Sequence, residues 1–224
     1  MLAHVERQQD IRFGLYLRPS LAMSRAQTEI HELVARQYGS MTAGKFMPHA
    51  TIKGFYRSDA PVAEMVAALE PVLGEIEPFE VINGGIMPIG RHTVVVNVHH
   101  DADGAPNEAM VALHRSVIDA LTPLVHPECD FTPVEPLGDA FHAHLTLMMG
   151  DSPRGLRKEI LDFLRDAEPI GPPTLRAERC HLVACRSQSW SERWWTTLQW
   201  TVLHSWELGG ESVPVNEPTW NTAY

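Results

Sequence analysis

His49, Thr51 and Lys53 occupy alternate positions of the stretch MPHATIKGFY, and His144 and Thr146 repeat the first two types in FHAHLTLMMG. On an extended strand alternate side chains share a face, so His49, Thr51 and Lys53 are predicted to line one side. An imidazole, with an unperturbed pKa of about 6.5, takes or gives a proton near neutrality. Two of them on opposite sides of one phosphorus suit an in-line displacement: one deprotonates the attacking oxygen, the other protonates the leaving oxygen. The hydroxyls of Thr51 and Thr146 can then donate to the non-bridging oxygens as charge gathers there. Lys53 either holds the phosphate or is an exposed lysine at a strand end, two readings of equal weight. The second copy has Met148 at that place, so the site is expected to be asymmetric. This chemistry requires no metal and no cofactor.

One His-x-Thr means little, because both types are at home on half-buried strands. The weight lies in two copies at matching places in the chain. IRFGLYLRP alternates, with Ile11, Phe13, Leu15 and Leu17 on one face, and reads as a strand ended by Pro19. Ser20 is placed to cap a helix with the stripe Ile30, Leu33, Val34, running to Tyr38 and stopped by Gly39. The first motif's strand follows. Asp59 and Pro61 open a helix that Gly74 ends, and FEVINGGIMPIGRHTVVVNVHH reads as two strands joined by a turn around Pro88 to Gly90. DADGAPN is a polar break. Beyond it come a helix from Asn107 to Leu121 carrying Met110, Leu113 and Val117, a Pro-rich loop over 122–140, and the second motif's strand. Ser152 and Pro153 open a helix with Leu156, Ile160, Phe163 and Leu164. LRAERCHLVACRS reads as one strand. WWTTLQWTVLHSWEL alternates, with Trp194, Leu198, Trp200, Val202, Trp206 and Leu208 on one side.

Both parts of the chain thus run helix, His-x-Thr strand, helix, two strands. The expected fold is α+β: a bilobal pseudo-two-fold duplication, each lobe an antiparallel sheet with helices on its outer face, facing each other across a central groove. Lobe one spans about 11–100 and lobe two about 106–208 of a single domain, with 209–224 as a C-terminal tail.

His142 shares a face with His144, and His-x-His on a strand can hold zinc with a third ligand from Asp139, His49 or His181. No second ligand pair has metal spacing, so His142 is read as structural or as part of the rim. The adjacent pair His99 and His100 reads as surface. Trp194, Trp195, Trp200 and Trp206 can stack on a base, with core packing the stronger reading for most of them. Arg154, Arg157 and Lys158 read as a solvated helix face. A Gly-rich phosphate loop and a Gly-x-Ser-x-Gly elbow are both absent from the sequence.

Hydrophobic residues make up 44% of the 224 and charged residues 21%, near globular averages. The net charge of −10 is spread along the chain. It argues against a broad surface for long nucleic acid, which needs Lys and Arg against many phosphates. A small nucleotide or short RNA in a pocket with few cations is the expected partner. No secretory signal or membrane-length apolar run is evident, so a cytoplasmic protein that does not engage membranes is expected, acting as a monomer. The three cysteines lack a Cys-x-x-Cys and read as reduced thiols.

The two motifs, HATI at 49–52 and HLTL at 144–147, resemble those of the 2H phosphoesterase superfamily, often called 2′-5′ RNA ligase-like. IRFGLYLRP resembles that family's opening strand, FEVINGGIMPIGRHTVVVNV its middle hairpin, and ERCHLVACRSQ with WTTLQWTVLHSWEL its closing strands, so the likeness covers about 11–208. The resemblance implies a bilobal fold around a groove and metal-independent phosphodiester chemistry, opening a 2′,3′-cyclic phosphate or cutting or joining a 2′-5′ linkage. It implies His49 and His144 as the acid–base pair and Thr51 and Thr146 as phosphate-binding hydroxyls. The chain departs from many relatives where the first motif runs into KGFY, which with the acidic composition favours a short substrate. RNA 2′-5′ ligation and a non-catalytic module binding a nucleotide or RNA end are the alternatives.

Overall fold

A computed structural model describes residues 11–90, 92–129, 136–153, 155–191 and 193–213. Arg154, residues 130–135 of the Pro-rich loop and most of the C-terminal tail lie outside these. In chain order the elements are β1 (Arg12–Leu17), α1 (Leu21–Tyr38), β2 (Ala50–Tyr56), α2 (Val62–Glu75), β3 (Phe79–Ile82), β4 (Ile86–Ile89), β5 (Thr93–Asn97), α3 (Glu108–Leu121), β6 (His144–Met148), α4 (Arg157–Arg165), β7 (Thr174–Ala177), β8 (Arg179–Arg186), β9 (Gln199–Glu207) and β10 (Ser212–Val213).

Local chemistry sets the helix ends. The Ser20 hydroxyl accepts the Met23 N–H at 3.4 Å, and Gly39 closes α1 at φ 71°, a left-handed conformation that glycine adopts without a Cβ penalty. The buried face of α1 is Met23, Gln27, Ile30, His31 and Val34; Leu33, expected in the stripe, is 37% exposed. Asn107 caps α3 by accepting the Met110 N–H, and Met110, Leu113, Val117 and Leu121 are all buried. α2 runs through Pro71 and past Gly74 to Glu75, because burial of Met65, Leu69 and Leu73 along one face outweighs the hydrogen bond that Pro71 forgoes. α4 starts after Leu156, not at Ser152, and buries Ile160 and Leu164. Lys158 pairs with Asp162 on its exposed side, the solvated face expected there.

The fold is α+β with antiparallel sheets. One sheet has the order β10-β9-β8-β1-β2-β6-β5-β4, and β3 and β7 form a separate pair. The segment expected to give two strands therefore gives three: β3 leaves to pair with β7, while β4 and β5 form a hairpin in which Pro88 faces Val94. Pro88 is tolerated because β4 is an edge strand. LRAERCHLVACRS likewise splits, into β7 and β8. The long sheet is two wings meeting at a single rung, Ala50 opposite Leu145. β8, β9 and β10 lie beside β1 and β2, and β4, β5 and β6 form the other wing.

The helices cross between the wings. α1, which precedes β2, packs on β6, and α3, which precedes β6, packs on β2. One face of the sheet meets this layer in the main core, built on residues such as Leu15, Ile52, Val96, Leu113, Leu145 and Trp206. A smaller cluster of Tyr16, Val183 and Cys185 lies on the opposite face, against Phe46, Phe55 and Trp190.

Bulges in the strand pairing decide which side chains reach that second face. Tyr16 faces Thr51 and Leu15 faces Lys53, so Ile52 is the extra residue on β2. Alternation breaks there. Lys53 shares the core face with Leu15, not the face of His49 and Thr51 as strict alternation predicts. Another bulge falls at Leu203, since Leu182 faces His204 and Val183 faces Val202. It splits the expected stripe of β9: Trp206 and Leu208 enter the core, while Trp200 and Val202 stay on the second face at 37% and 36% exposure.

Candidate functional site

The two motifs meet at the junction of the wings. His49 precedes the first residue of β2, and His144 is the first residue of β6. With Ala50 opposite Leu145, antiparallel register sets His49 across from Thr146 and Thr51 across from His144. Ala50 and Leu145 are each 1% exposed and point into the core, while the four motif residues are half-buried on the other side. A pseudo-two-fold axis thus runs through the Ala50–Leu145 rung, and the expected convergence of His49, Thr51, His144 and Thr146 is found.

Each imidazole is held in the same way. His49 Nδ1 lies 2.6 Å from the Met47 carbonyl, and His144 Nδ1 lies 2.7 Å from the His142 carbonyl. A carbonyl oxygen can only accept, so both rings carry their proton on Nδ1, and in the neutral ring Nε2 is left as the basic nitrogen. Burial pushes the His49 pKa down to about 4; the Met47 carbonyl opposes this, and the fields of His144 and His31 add to it. Burial also lowers His144, against the pull of the His142 carbonyl. Both rings are therefore biased toward the neutral, proton-accepting form, His49 the more strongly enclosed.

Side chains from α1 prop the second motif. Gln27 Nε2 and His31 Nε2 both donate to the Thr146 carbonyl, at 2.9 and 2.8 Å. The counterpart is His114 of α3, whose Nδ1 donates to the Ile52 carbonyl at 2.8 Å and whose ring stacks on Phe141, centroids 3.9 Å apart. Backbone groups left without a strand partner where the wings splay apart are satisfied in this way. Asp151, just past β6, accepts from Ser40 Oγ at 2.7 Å and from the backbone N–H groups of Met41 and Thr42 at 2.7 and 3.0 Å. It ties the loop that leads into the first motif to the strand that carries the second. Sequence reading missed Gln27, His31, His114 and Asp151. Their one local signal is a buried Gln and His at i and i+4 within an apolar helix face.

Lys53 is 3% exposed, its ammonium 5.8 Å from the Tyr56 ring centre. It reaches the site by another route: a cavity of about 330 Å³ between the wings is lined by Thr51, Lys53, Ile89, His114, Phe141 and His144. Met148, its counterpart in the second motif, is buried. On the His49 side the wall is aromatic. The His49 ring meets Tyr16 edge-on at 4.7 Å and Phe46 at 4.8 Å; Phe46 meets Trp200 at 5.5 Å, and Phe55 meets Trp190 and Trp194, each at 5.4 Å. Core packing, the reading favoured from sequence, holds for Trp206; Trp194, Trp195 and Trp200 are outside the core.

The His142–His144 metal pairing is not found among the described residues: the ligand-type nitrogens that lie near one another are those of His142, His99 and His100, without His144. The His142 ring instead meets His99 and His100, at 4.9 and 5.4 Å between centroids, and His99 is 6% exposed rather than on the surface. His181 sits on β8 opposite Tyr16 and Ser205, and burial lowers its pKa to about 4. Cys180 and Cys185 are free thiols facing opposite sides of β8, as their spacing predicts. Among the described residues, no helix is long and apolar enough to cross a membrane.

A family model described as the 2′-5′ RNA ligase superfamily matches residues 22–186. Among solved structures, E. coli LigT complexed with 3′-AMP aligns with TM-score 0.51 and 17% identity, covering 89% of this chain and 99% of LigT. E. coli LigT in apo form gives 0.51 and 16%, covering 88% and 96%, and its complex with NADP+ gives 0.50 and 16%, covering 89% and 98%. No curated protein matches.

Proposed function

The chain belongs to the 2′-5′ RNA ligase superfamily of 2H phosphoesterases, and from that premise we propose that it is a metal-independent phosphodiesterase acting on a 2′,3′-cyclic phosphate or a short oligonucleotide, 2′-5′ linkages included. One observation carries the reading. Two imidazoles with identical Nδ1 anchors and neighbouring hydroxyls flank the Ala50–Leu145 rung. With Nδ1 tied, each Nε2 is free to exchange a proton with a substrate oxygen.

In the proposed mechanism the substrate phosphate sits between the rings. His49, held neutral by its enclosure, takes the proton of the attacking water or hydroxyl through Nε2. His144 gives a proton to the departing ribose oxygen; the phosphate's negative charge beside it supports the protonated ring. Thr51 and Thr146 donate to the non-bridging oxygens, and Lys53 supplies positive charge from the cavity side. The aromatic wall of Phe46 and Trp200 gives a base somewhere to stack. Ligation is the same displacement in reverse, with a ribose hydroxyl opening the cyclic phosphate. Short nucleotides are the substrates to try first, in keeping with the small cavity, the net charge of −10 on the chain and the nucleotides named in the LigT complexes.

The test is a panel of 2′,3′-cyclic mononucleotides, 2′-5′ dinucleotides and short RNAs. The wild type should turn over at least one class with or without EDTA. His49→Gln and His144→Gln should each lose roughly 10²-fold or more of that rate, the scale of a lost general acid or base. Full turnover in either variant rejects the mechanism, and tight binding without product supports the non-catalytic module instead.

A further inference from the structure

The second motif carries an imidazole that the acid–base scheme leaves unused. His142 lies behind His144, and its Nε2 is buried without a hydrogen-bond partner. Two more imidazoles meet it from the end of β5. We propose that His99, His100 and His142 form a binding site for a late first-row divalent metal ion, zinc being the best match, beside the phosphate-binding centre, whose cavity His142 also lines.

The geometry fits such an ion. One ligating nitrogen from each residue lies within 4.8 Å of the other two. Tetrahedral zinc, with Zn–N bonds of about 2.0–2.1 Å, holds its nitrogens roughly 3.4 Å apart, so modest ring rotations close the site. The rings sit on a firm base. Asn97 of β5 faces His144 of β6, which fixes the chain on either side of the three residues. The Asn97 carboxamide presents Nδ2 at 3.0 Å and Oδ1 at 3.4 Å to His100 Nδ1, so it can support either tautomer, including the Nδ1–H form needed when Nε2 holds a metal. The Ala143 N–H reaches His99 Nδ1 at 3.4 Å, a contact long enough to yield.

The ligand set also selects the metal. Three imidazoles suit zinc, copper or nickel and disfavour magnesium and calcium, which want oxygen. The cluster borders an open cavity of about 650 Å³ that Glu108 and Asp139 also line, giving the ion a way in and a water or carboxylate for its fourth position. Arg115 lines the same cavity and limits how many carboxylates can turn toward the ion. Because the His142 carbonyl holds His144 Nδ1, a metal on the His142 ring braces the residue that orients His144. It takes no part in the proton transfers.

The test uses the full chain without an affinity tag, stripped with chelator and titrated with Co2+ for its visible absorption, then with Zn2+ by competition. One equivalent should bind, and His100→Ala and His142→Ala, each confirmed folded by circular dichroism, should weaken binding at least about tenfold. His92→Ala, which removes an exposed imidazole in the β4–β5 turn, should bind as wild type does. If one of the two cluster variants fails to fold, the other carries the test. No saturable binding by the wild type, or unchanged binding in the folded cluster variants, overturns the site. These readouts need no turnover, so they stand apart from the phosphodiesterase reading.

Discussion

Ala50 and Leu145 face each other across the single rung that joins β2 to β6, both buried, each immediately following the histidine of its motif. Core packing at this pair therefore sets the spacing of the two imidazoles on the opposite face. Leu145→Ala should cost about 2–5 kcal/mol, as large-to-small core changes do. Turnover should fall with it as the motifs shift. Leu145→Met, which keeps the volume, should cost less than about 1.5 kcal/mol and retain activity. Denaturant unfolding and initial rates on the same preparations decide the matter. A Leu145→Ala protein as stable and active as wild type would break the link between this rung and the site.

Gln27 and His31 share one acceptor, the Thr146 carbonyl. Removing either leaves the carbonyl still bonded, so Gln27→Ala or His31→Ala alone should cost about 1 kcal/mol. The double variant leaves a buried carbonyl unsatisfied and should cost more than the two singles together, a coupling expected of groups in one network. As positioning residues they should lower kcat more than they raise KM. A double-mutant cycle in urea, run beside steady-state kinetics, reads both effects; strict additivity in both would assign them to bulk packing.

How far the sequence reached follows from how local each signal is. The span of α1 was legible because Ser20 and Gly39 act within a turn of themselves, and Asn107 announces α3 for the same reason. The face shared by His49 and Thr51 follows from alternation over two residues. Lys53 did not follow, because the bulge at Ile52 is decided by pairing with β1, and no residue in IKG declares it. The tryptophan stripe failed on the same grounds at Leu203. The props on Thr146 and Ile52 come from helices that cross to the opposite wing, and the approach of His99 to His142 joins segments on either side of α3. Such contacts exist only once the chain has folded. Duplication of His-x-Thr carried the site across that gap, since two copies imply a meeting point even where topology is unknown.

His49 is enclosed by the Tyr16 and Phe46 rings, with His144 and His31 as the titratable groups whose fields reach it, and its pKa is pushed down to about 4. If it is the base, it must be neutral to act, and the acid limb of kcat/KM should fall well below the ordinary imidazole value of about 6.5. Stability carries the same sign. Between about pH 6.5 and 4 the unfolded chain protonates this residue and the native state does not, so its contribution is whole above that window and is lost as pH falls through it. Thermal melts near pH 7.5 and pH 5 should show a drop that shrinks in His49→Gln. An acid limb at or above 6.5 for the wild type would contradict the assignment.

Lys53 is the asymmetric element of the pair of motifs, a buried ammonium where the second copy has Met148. A buried lysine costs desolvation energy that a hydrophobe of similar length does not. If Lys53 were there for the fold alone, Lys53→Met should be neutral or stabilising and leave turnover intact. If it supplies charge to the phosphate from the cavity it shares with Thr51 and His144, stability should hold within about 1 kcal/mol or rise while the rate falls. A fall of roughly 10²-fold in kcat is the scale of one lost charge-stabilising donor. Lys53→Arg sharpens the comparison, since it keeps the charge but is bulkier in a closed site and should recover only part of the rate. Melting temperature and kcat on all three proteins separate the cases: a stable Lys53→Met with wild-type kcat places the lysine outside the chemistry.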